Sequence, residues 1–218
     1  MTITYLGHSC FLLSDGVHSV LTDPFLSATG KDPDSVKPDV ILVSHGHDDH
    51  VGDTVRIAKK TGATVGGVIE LCEQLFAPKR LKVLVGNIGG TISTVFGSYK
   101  MVSAVHGSGV PGALACGFVI HIGGKNIYFA GDTALTMDMS LLKDEAIDAA
   151  LLPIGGTFTM DPSEACRAVK LIEPKLTIPM HYNTFPLIRQ DPHAFAGTLE
   201  KEGHACRVLE VGQTLDLP

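Results

Sequence analysis

The sequence is poor in aromatic residues and in clustered charge. It has no tryptophan, only 6% of its 218 residues are aromatic, and no run of five like charges occurs. The formal net charge is −6, from 17 basic and 23 acidic residues. A protein that binds a long stretch of nucleic acid needs a basic patch or stripe on its surface. This composition therefore argues against nucleic acid as a partner.

Long apolar runs are also absent. No segment approaches the roughly 20 apolar residues that a membrane-spanning helix requires, so we expect no membrane contact. The N-terminus lacks a charged segment followed by a long apolar stretch, so no signal peptide is expected. The five cysteines are widely spaced, odd in number and without a C-x-x-C pair. This pattern favours buried, reduced thiols over disulfides and indicates a cytoplasmic protein.

Apolar residues, in contrast, are numerous enough for a large core. Hydrophobic residues make up 44% of the chain and charged residues 18%, and the mean hydropathy is +0.24. We therefore expect residues 1–218 to form one domain. The hydropathy also leaves a homo-oligomer open, because it is compatible with an apolar subunit interface.

Short apolar runs alternate with helical patterns along both halves of the chain. Asp15 and Gly16 mark a hairpin turn, and Pro162 after Asp161 marks the start of a helix. Predicted strands cover residues 2–6, 10–13, 19–22, 40–44, 115–122, 126–130, 149–153, 176–179 and 206–210, with further β structure between 81 and 104. Predicted helices cover about 53–61, 69–76, 141–146, 162–172 and 192–202. This alternation predicts an α/β fold with mixed sheets.

One segment, residues 45–50 (His-Gly-His-Asp-Asp-His), is rich in metal-ligating side chains. It follows the predicted strand 40–44 and precedes a helical pattern after Gly52, so it lies outside the carboxyl end of a strand, where α/β sheets place their ligands. Imidazoles and carboxylates are good ligands for divalent metals. His45 and His47 can point the same way because they are two residues apart, whereas the adjacent Asp49 and His50 must diverge. The segment therefore predicts a metal site, and two ions side by side would accommodate all four donors.

Three further residues of ligand type follow predicted strands at the same topological position. His106 comes after residues 102–105, Asp132 after 126–131 and His181 after 176–180. Glycines beside His106 and Asp132 allow the backbone to approach closely. Each residue alone is weak evidence, but together they supply the donors that a complete two-metal site needs.

These residues resemble the signature of the metallo-β-lactamase superfamily. The H-x-H-x-D-H motif of that superfamily matches segment 45–50, and its three downstream ligands match His106, Asp132 and His181 in order. Four other segments resemble a compact branch of metal-dependent hydrolases related to the ascorbate-phosphate lactonases: 6–9 (Leu-Gly-His-Ser), 129–133 (Phe-Ala-Gly-Asp-Thr), 153–156 (Pro-Ile-Gly-Gly) and 180–186 (Met-His-Tyr-Asn-Thr-Phe-Pro). The resemblance implies a four-layer αββα sandwich, in which two mixed β-sheets are flanked by helices and the site lies between the sheets.

The resemblance also implies how the ligands are shared. It assigns His45, His47 and His106 to one ion, Asp49, His50 and His181 to the second, and Asp132 to a bridge between them. We expect two divalent ions, zinc first, with manganese, iron or nickel as alternatives. A bridging water or hydroxide would complete the site, and its pKa would fall from about 15.7 toward roughly 7. It could then attack a carbonyl carbon or phosphorus.

The predicted catalytic residues are Asp49, Asp132 and His8. In the resembled branch the histidine after the first strand lies near the metals, which suggests that His8 binds substrate, although a structural hydrogen bond is the alternative. Tyr182 and Asn183 directly follow a ligand and are the other predicted substrate-binding residues, since they could donate hydrogen bonds to an oxyanion. A structural role is equally compatible with their position.

Other polar residues near the motifs could support the ligands. Thr133 could orient Asp132, Asp48 could fix an imidazole N–H, and Asp23 could hydrogen-bond to a ligand histidine. The remaining histidines have no partner pattern and are expected to be surface or core residues: His18, His121, His193 and His204.

The predicted function is hydrolysis of an ester-type bond, in a lactone, a carboxylic ester or a phosphodiester, of a small-molecule substrate. The substrate could be anionic despite the net charge of the chain, because metal ions supply local positive charge. One alternative is an RNA-processing phosphodiesterase, but the chain lacks a basic arm and room for a clamp domain. A second is an iron-dependent redox enzyme of the dioxygenase type. His47 argues against a diiron form, since diiron members carry an acidic residue there. A non-catalytic metal-binding module is the last alternative.

Overall fold

Thirteen β-strands form two mixed sheets in the computed structural model, which describes residues 1–218. The strands are β1 (Thr2–Gly7), β2 (Cys10–Ser14), β3 (Ser19–Thr22), β4 (Val40–Leu42), β5 (Thr64–Val68), β6 (Val83–Gly86), β7 (Thr91–Thr94), β8 (Gly97–Ser103), β9 (Cys116–Ile122), β10 (Lys125–Phe129), β11 (Ala149–Pro153), β12 (Thr177–Met180) and β13 (Thr214–Asp216). The first sheet has the order β13-β1-β2-β3-β4-β5-β6. The second has the order β12-β11-β10-β9-β8-β7.

Helices flank the two sheets and connect their strands. They are α1 (Asp48–Val51), α2 (Thr54–Thr61), α3 (Ile69–Leu71), α4 (Pro162–Ile172) and α5 (Pro192–Lys201), and 3₁₀ helices occur at Ser27–Thr29, Pro33–Ser35, Ala77–Lys79, Met137–Glu145 and Pro186–Ile188. Helix α2 contacts β5, whereas α4 contacts both α5 and the helix Met137–Glu145. Two β-sheets with helices outside them confirm the predicted α/β sandwich.

Two local predictions of the sequence are confirmed in detail. Strands β2 and β3 pair antiparallel through the Asp15–Gly16 turn, where Asp15 accepts hydrogen bonds from the Val17 and His18 N–H groups. Helix α4 begins with Pro162 in a capping box: Asp161 accepts from the Glu164 N–H at 2.8 Å, and the Glu164 side chain accepts from the Asp161 N–H at 3.2 Å. Such caps satisfy N–H groups that a helix leaves unpaired at its start.

The pairing directions bring the ligand-bearing strand ends to one edge. In the first sheet β1 runs antiparallel to β2, and β2 antiparallel to β3, which is parallel to β4. In the second sheet β8 and β10 are both antiparallel to β9, and β10, β11 and β12 are parallel. Strands β1, β3 and β4 therefore end on one edge of their sheet, and β8, β10 and β12 on one edge of theirs.

The core lies between and around the two sheets. A cluster of 57 buried hydrophobic residues is contiguous across both of them. Tyr99 of β8 crosses the interface and donates its hydroxyl to the Leu84 carbonyl of β6 at 3.2 Å. All five cysteines are free and buried, as the sequence predicted. No helix is long and apolar enough to cross a membrane.

The structure differs from the sequence prediction in five elements. Strand β5 was missed because Gly66 and Gly67 interrupt its apolar pattern; a Cβ at Gly66 would lie 2.7 Å from the Leu42 side chain and the Tyr99 hydroxyl. The predicted strand 206–210 is only a bridge between Cys206 and Thr177, and the terminal strand is β13 instead. The predicted helix 69–76 is one α-turn followed by a wider π-turn over Cys72–Phe76, and the predicted helix 141–146 is the end of a 3₁₀ helix.

Candidate metal centre

Three imidazoles converge beyond the ends of β4 and β8. His45 Nε2 lies 2.9 Å from His47 Nδ1, which lies 3.3 Å from His106 Nε2. With Zn–N bonds of about 2.0–2.1 Å, the donors of a tetrahedral zinc site are about 3.3 Å apart. These three nitrogens therefore have the spacing that one bound ion requires.

A second group of donors lies beside the first. The ligand atoms of Asp49, His50 and His181 lie within 4.8 Å of one another and of His8. His50 Nε2 and His181 Nε2 are each 3.9 Å from an oxygen of Asp49. The adjacent residues Asp49 and His50 thus converge on one group, and the expectation that they diverge is wrong, whereas His45 and His47 contribute to the other.

Asp132 connects the two groups. Its Oδ1 lies 3.3 Å from His50 Nε2, and its Oδ2 lies 3.1 Å from His181 Nε2 and 3.5 Å from His106 Nε2. One carboxylate therefore faces nitrogens from both groups. All seven ligands named from the sequence come together at one point between the two sheets.

Unpaired buried atoms show that this donor set fits metal ions. His50 Nε2, His181 Nε2 and Asp132 Oδ1 are buried and have no hydrogen-bond partner. The 3.3 Å between His50 Nε2 and Asp132 Oδ1 does not have the geometry of a hydrogen bond. Since buried polar atoms are normally paired, three orphaned atoms at one point need an explanation, and a cation among them supplies one.

A buried aspartate orients ligands of both groups. Asp23 Oδ2 accepts from His50 Nδ1 at 2.6 Å and from the Ser44 hydroxyl at 2.6 Å, while Oδ1 accepts from the Ser44 N–H at 2.8 Å. Ser44 Oγ is also 2.9 Å from His45 Nδ1. Because Nδ1 of each ring is engaged in this way, Nε2 is left free to face the site. Carboxylates that hold ligand histidines in this manner are typical of metal centres. The sequence predicted the contact of Asp23 but not that of Ser44.

The charges of the site match what metal ligands need. Burial lowers the pKa of His45 to about 2 and also lowers the pKa of His106, so both imidazoles are neutral at pH 7. Burial raises the pKa of Asp132, but His50 and His181 outweigh it and the net pKa lies well below the ordinary value. His50 shows the opposite balance: burial lowers its pKa, yet Asp132 and Asp23 raise it well above normal. A position among carboxylates thus favours a positive charge, which a metal ion also provides.

His8 is buried beside the second group of donors. Its Nδ1 lies 2.9 Å from the Thr184 hydroxyl and its Nε2 lies 3.2 Å from Asp49 Oδ2. The His8 side chain has no exposed surface, whereas that of Asp49 is 25% exposed. Phe25 and Phe185 each contact the His8 ring at a centroid distance of 5.5 Å. Both ring nitrogens of His8 are therefore occupied, and the ring does not face solvent.

The side chains of Tyr182 and Asn183 make no hydrogen bond to a ligand of the site. The Asn183 Oδ1 accepts from the Gln190 N–H at 2.9 Å, which closes the loop after His181. Tyr182 is half-buried against the core, and burial, followed by Glu210 and Cys206, raises its pKa to about 12. Both residues line a surface cleft of about 420 Å³ that also includes His8 and Thr184. Their predicted contact with substrate stays a prediction.

Other predicted supports take different partners. The Thr133 hydroxyl accepts from the Val105 N–H at 3.0 Å and donates to the Ala134 carbonyl at 2.8 Å, so it braces the chain before His106 and does not contact the carboxylate of Asp132. Asp48 is exposed and makes no hydrogen bond to an imidazole. The other histidines lie outside the candidate metal groups: His18, His121, His193 and His204.

Known proteins that are similar to this chain in sequence and fold include metal-dependent hydrolases, which is consistent with a metal site. Residues 2–181 match the family model of the beta-lactamase superfamily domain. A UPF0173 metal-dependent hydrolase of Symbiobacterium thermophilum is 48% identical over 225 residues and is aligned over 100% of both chains. The structure of a metallo hydrolase from the archaeon Ignicoccus hospitalis superposes with a TM-score of 0.91 at 34% identity, covering 98% of this chain and 97% of that one.

A more distant structure shows the same fold. The metallo-beta-lactamase fold protein YhfI of Bacillus subtilis has a TM-score of 0.78 at 16% identity and covers 99% of both chains. The match to the family model extends over most of the chain and includes every residue of the two donor groups. The chain therefore belongs to the beta-lactamase superfamily and is one of its metal-dependent hydrolases.

Proposed function

We propose that this enzyme hydrolyses an ester-type bond, in a lactone, a carboxylic ester or a phosphodiester, of a small molecule at a site for two divalent ions. The observation that carries the proposal is the position of Asp132, whose two oxygens face nitrogens of both donor groups. A single ion in the second group would leave the converging nitrogens of His45, His47 and His106, which already have the spacing of metal ligands, without an ion.

The distances between the donor atoms divide the seven ligands into two sets of three and one bridging residue. His45, His47 and His106 would hold one ion, Asp49, His50 and His181 the other, and Asp132 would contact both. Zinc is the proposed metal, with manganese, iron and nickel as alternatives, because imidazole and carboxylate donors suit all four. When bound, the ions supply Lewis acidity that polarises the scissile bond and makes water acidic enough to act as a nucleophile near neutral pH.

The protein prepares the ligands for this role. Asp23 keeps the Nδ1 proton of His50 away from the site, and through Ser44 it does the same for His45. Asp49 and Asp132 stay ionised, since contacts with His8 and His50 hold the pKa of Asp49 below its ordinary value although burial raises it. His45, His106, Asp49 and Asp132 therefore need no proton transfer before they bind a cation, whereas His50, whose pKa is raised by Asp132 and Asp23, would release a proton as the metal binds.

His8 would act as a positioning residue for Asp49. An ionised Asp49 can only accept a hydrogen bond, so the proton of neutral His8 lies on Nε2 and its Nδ1 accepts the hydroxyl proton of Thr184. Burial lowers the pKa of His8 to about 4, which keeps the ring neutral. The chain Thr184–His8–Asp49 thus holds one oxygen of the carboxylate in a fixed direction.

The test combines metal counting with a substrate panel. We expect protein dialysed against zinc to hold two ions per chain by mass spectrometry of the metals. It should hydrolyse at least one of p-nitrophenyl acetate, γ-butyrolactone and bis(p-nitrophenyl) phosphate. Chelation should remove the activity, and added zinc should restore it. A His121→Gln variant, which alters a histidine outside the site, is the matched control. One ion at saturation, or hydrolysis that survives complete chelation, would contradict the proposal.

A further inference from the structure

Two phenylalanines stand next to the second donor group. Phe25 follows β3 and Phe185 lies in the loop after β12; their ring centroids are 6.2 Å apart, and each ring meets His8. Both rings are only partly buried. In a chain with nine phenylalanines and no tryptophan, two partly exposed aromatic rings beside His8, the partner of Asp49, form a distinct apolar surface.

The backbone holds both rings in place. The Asp53 N–H donates to the Pro24 carbonyl at 2.7 Å, which anchors the loop of Phe25 to the turn after α1. The Ile188 N–H donates to the Phe185 carbonyl at 3.1 Å, within the helical turn Pro186–Ile188. An apolar surface that is already fixed binds a ligand at a lower entropic cost than a mobile one.

Exposed apolar side chains continue on the neighbouring loops. Val105, Phe158 and Leu187 are 58%, 51% and 64% exposed. Val105 directly precedes the ligand His106, and the Thr157 hydroxyl donates to the Leu187 carbonyl at 2.7 Å, which joins the loops of Phe158 and Leu187. Apolar residues on loops around a catalytic site are more often part of a binding surface than of the general exterior.

The site lacks lysine and arginine side chains paired with its carboxylates. The carboxylates of Asp49 and Asp132 lie within 4.0 Å of histidine nitrogens only, and no lysine or arginine forms an ion pair with either. A substrate with a free phosphate or carboxylate is usually held by arginine, lysine or a helix N-terminus. Apart from the metal ions, this environment has no cationic side chain to hold a free anionic group, which favours a neutral substrate.

Building on the proposed ester hydrolysis, we propose that Phe25 and Phe185 form the wall of the substrate pocket and select neutral lactones or esters with an alkyl or aryl group next to the reacting carbonyl. The apolar group would lie against the two rings, which places the carbonyl beside Asp49. Each additional CH₂ group buried there would tighten binding about fourfold.

Two pairs of compounds test this selectivity in the zinc-loaded enzyme. γ-Butyrolactone and α-hexyl-γ-butyrolactone share a ring and differ by a hexyl chain next to the carbonyl; cyclopentanone and 2-hexylcyclopentanone differ in the same way but cannot be hydrolysed. We expect kcat/KM to be at least tenfold higher for α-hexyl-γ-butyrolactone, and 2-hexylcyclopentanone to bind at least tenfold more tightly by calorimetry. Phe185→Ala and Phe25→Ala should each reduce both ratios about fivefold or more, mainly through KM, whereas Phe185→Leu should retain part of the preference.

Val17→Ala is the matched control, because Val17 is an exposed apolar residue at the opposite end of β3. Equal binding of the two ketones, or ratios that Phe185→Ala and Phe25→Ala leave unchanged, would overturn the inference. So would a change of oligomeric state in these variants by light scattering, since the rings would then face a second copy of the chain. Selective ketone binding without hydrolysis of any lactone would instead contradict the ester chemistry and support the apolar wall.

Discussion

The backbone N–H of His181 donates to the carbonyl oxygen of His8 at 2.8 Å, and both residues have left-handed backbones, with φ of 54° and 56°. Such a conformation costs a non-glycine residue about 1–3 kcal/mol and persists only when surrounding contacts enforce it. The two rings also pack at a centroid distance of 4.2 Å. The turns after β1 and β12 are therefore built as one unit, which places a residue from the start of the chain against a ligand from its last quarter.

Replacing Asp132 by asparagine should affect both donor groups at once. The amide can still accept hydrogen bonds, but it has no charge to hold two cations. We expect bound zinc to fall below two ions per chain, and hydrolysis to fall more than about 100-fold, since even residues behind the ligands cost about 10–100-fold. Metal analysis and kcat/KM on the best substrate measure this. Asp138→Asn, an exposed carboxylate in the same segment, is the control; full zinc content and full turnover in Asp132→Asn would show that Asp132 bridges nothing.

Asp23→Asn should weaken both groups without removing a ligand. Its two oxygens accept from three donors, so an amide NH₂ would face the proton of His50 or of Ser44. We expect zinc affinity to fall about 10–100-fold at both ions, measured by competition with a chromophoric chelator. Ser44→Ala should affect only the ion held by His45. If the two variants weakened the same ion equally, Asp23 would not connect the groups.

The ligands could be predicted from the sequence because their chemistry is specific to residue type. A histidine or aspartate at the end of a strand is informative, and Asp23 could be recognised in the same way. Ser44 and Thr184 could not, because a hydroxyl next to a ligand is compatible with a cap, a turn or a solvent contact. For the same reason, the prediction that the Thr133 hydroxyl contacts Asp132 is wrong: this hydroxyl pairs with Val105 and Ala134 instead. Strand β5 could not be predicted because Gly66 and Gly67 are atypical of a strand. Glycine is needed at position 66 because Tyr99 of the opposite sheet leaves no room for a side chain there.

Thr184→Val should loosen Asp49 while preserving the shape of the side chain. Without the hydroxyl, the Nδ1 of His8 loses its hydrogen-bond donor, while Asp49 still holds the proton on Nε2. We expect the Nδ1 resonance of His8 to shift in nitrogen-detected NMR spectra of the metal-free protein, because an unprotonated ring nitrogen responds to the loss of a donor, and we expect a several-fold loss of affinity for the second zinc. Thr184→Ser keeps the hydroxyl and should restore both values. A valine variant with an unshifted Nδ1 resonance and unchanged zinc binding would show that Thr184 does not position His8.

Asp148→Asn should lower stability at neutral pH and leave it nearly unchanged in acid. Asp148 is only 10% exposed and accepts from the Asn126 N–H at 2.9 Å and from Lys175 Nζ at 2.8 Å. Burial raises its pKa, but the hydrogen bonds from Lys175 and Asn126 outweigh that effect, so the pKa in the folded protein lies below its ordinary value of 3.8. A carboxyl group with a lowered pKa stabilises the fold above its unfolded pKa, and this stabilisation is lost as the pH falls through the folded pKa.

We expect the free energy of unfolding of Asp148→Asn to be about 1–2 kcal/mol lower than that of the wild type at pH 7, and the difference to disappear well below pH 3.8, because wild-type Asp148 is then protonated as well. Urea unfolding of the metal-free protein across this pH range measures the effect, with Asp216→Asn, an exposed carboxylate of β13, as the control. A destabilisation that is equal at all pH values would mean that the shape of the side chain, and not its charge, is what β10 and β11 require at this point.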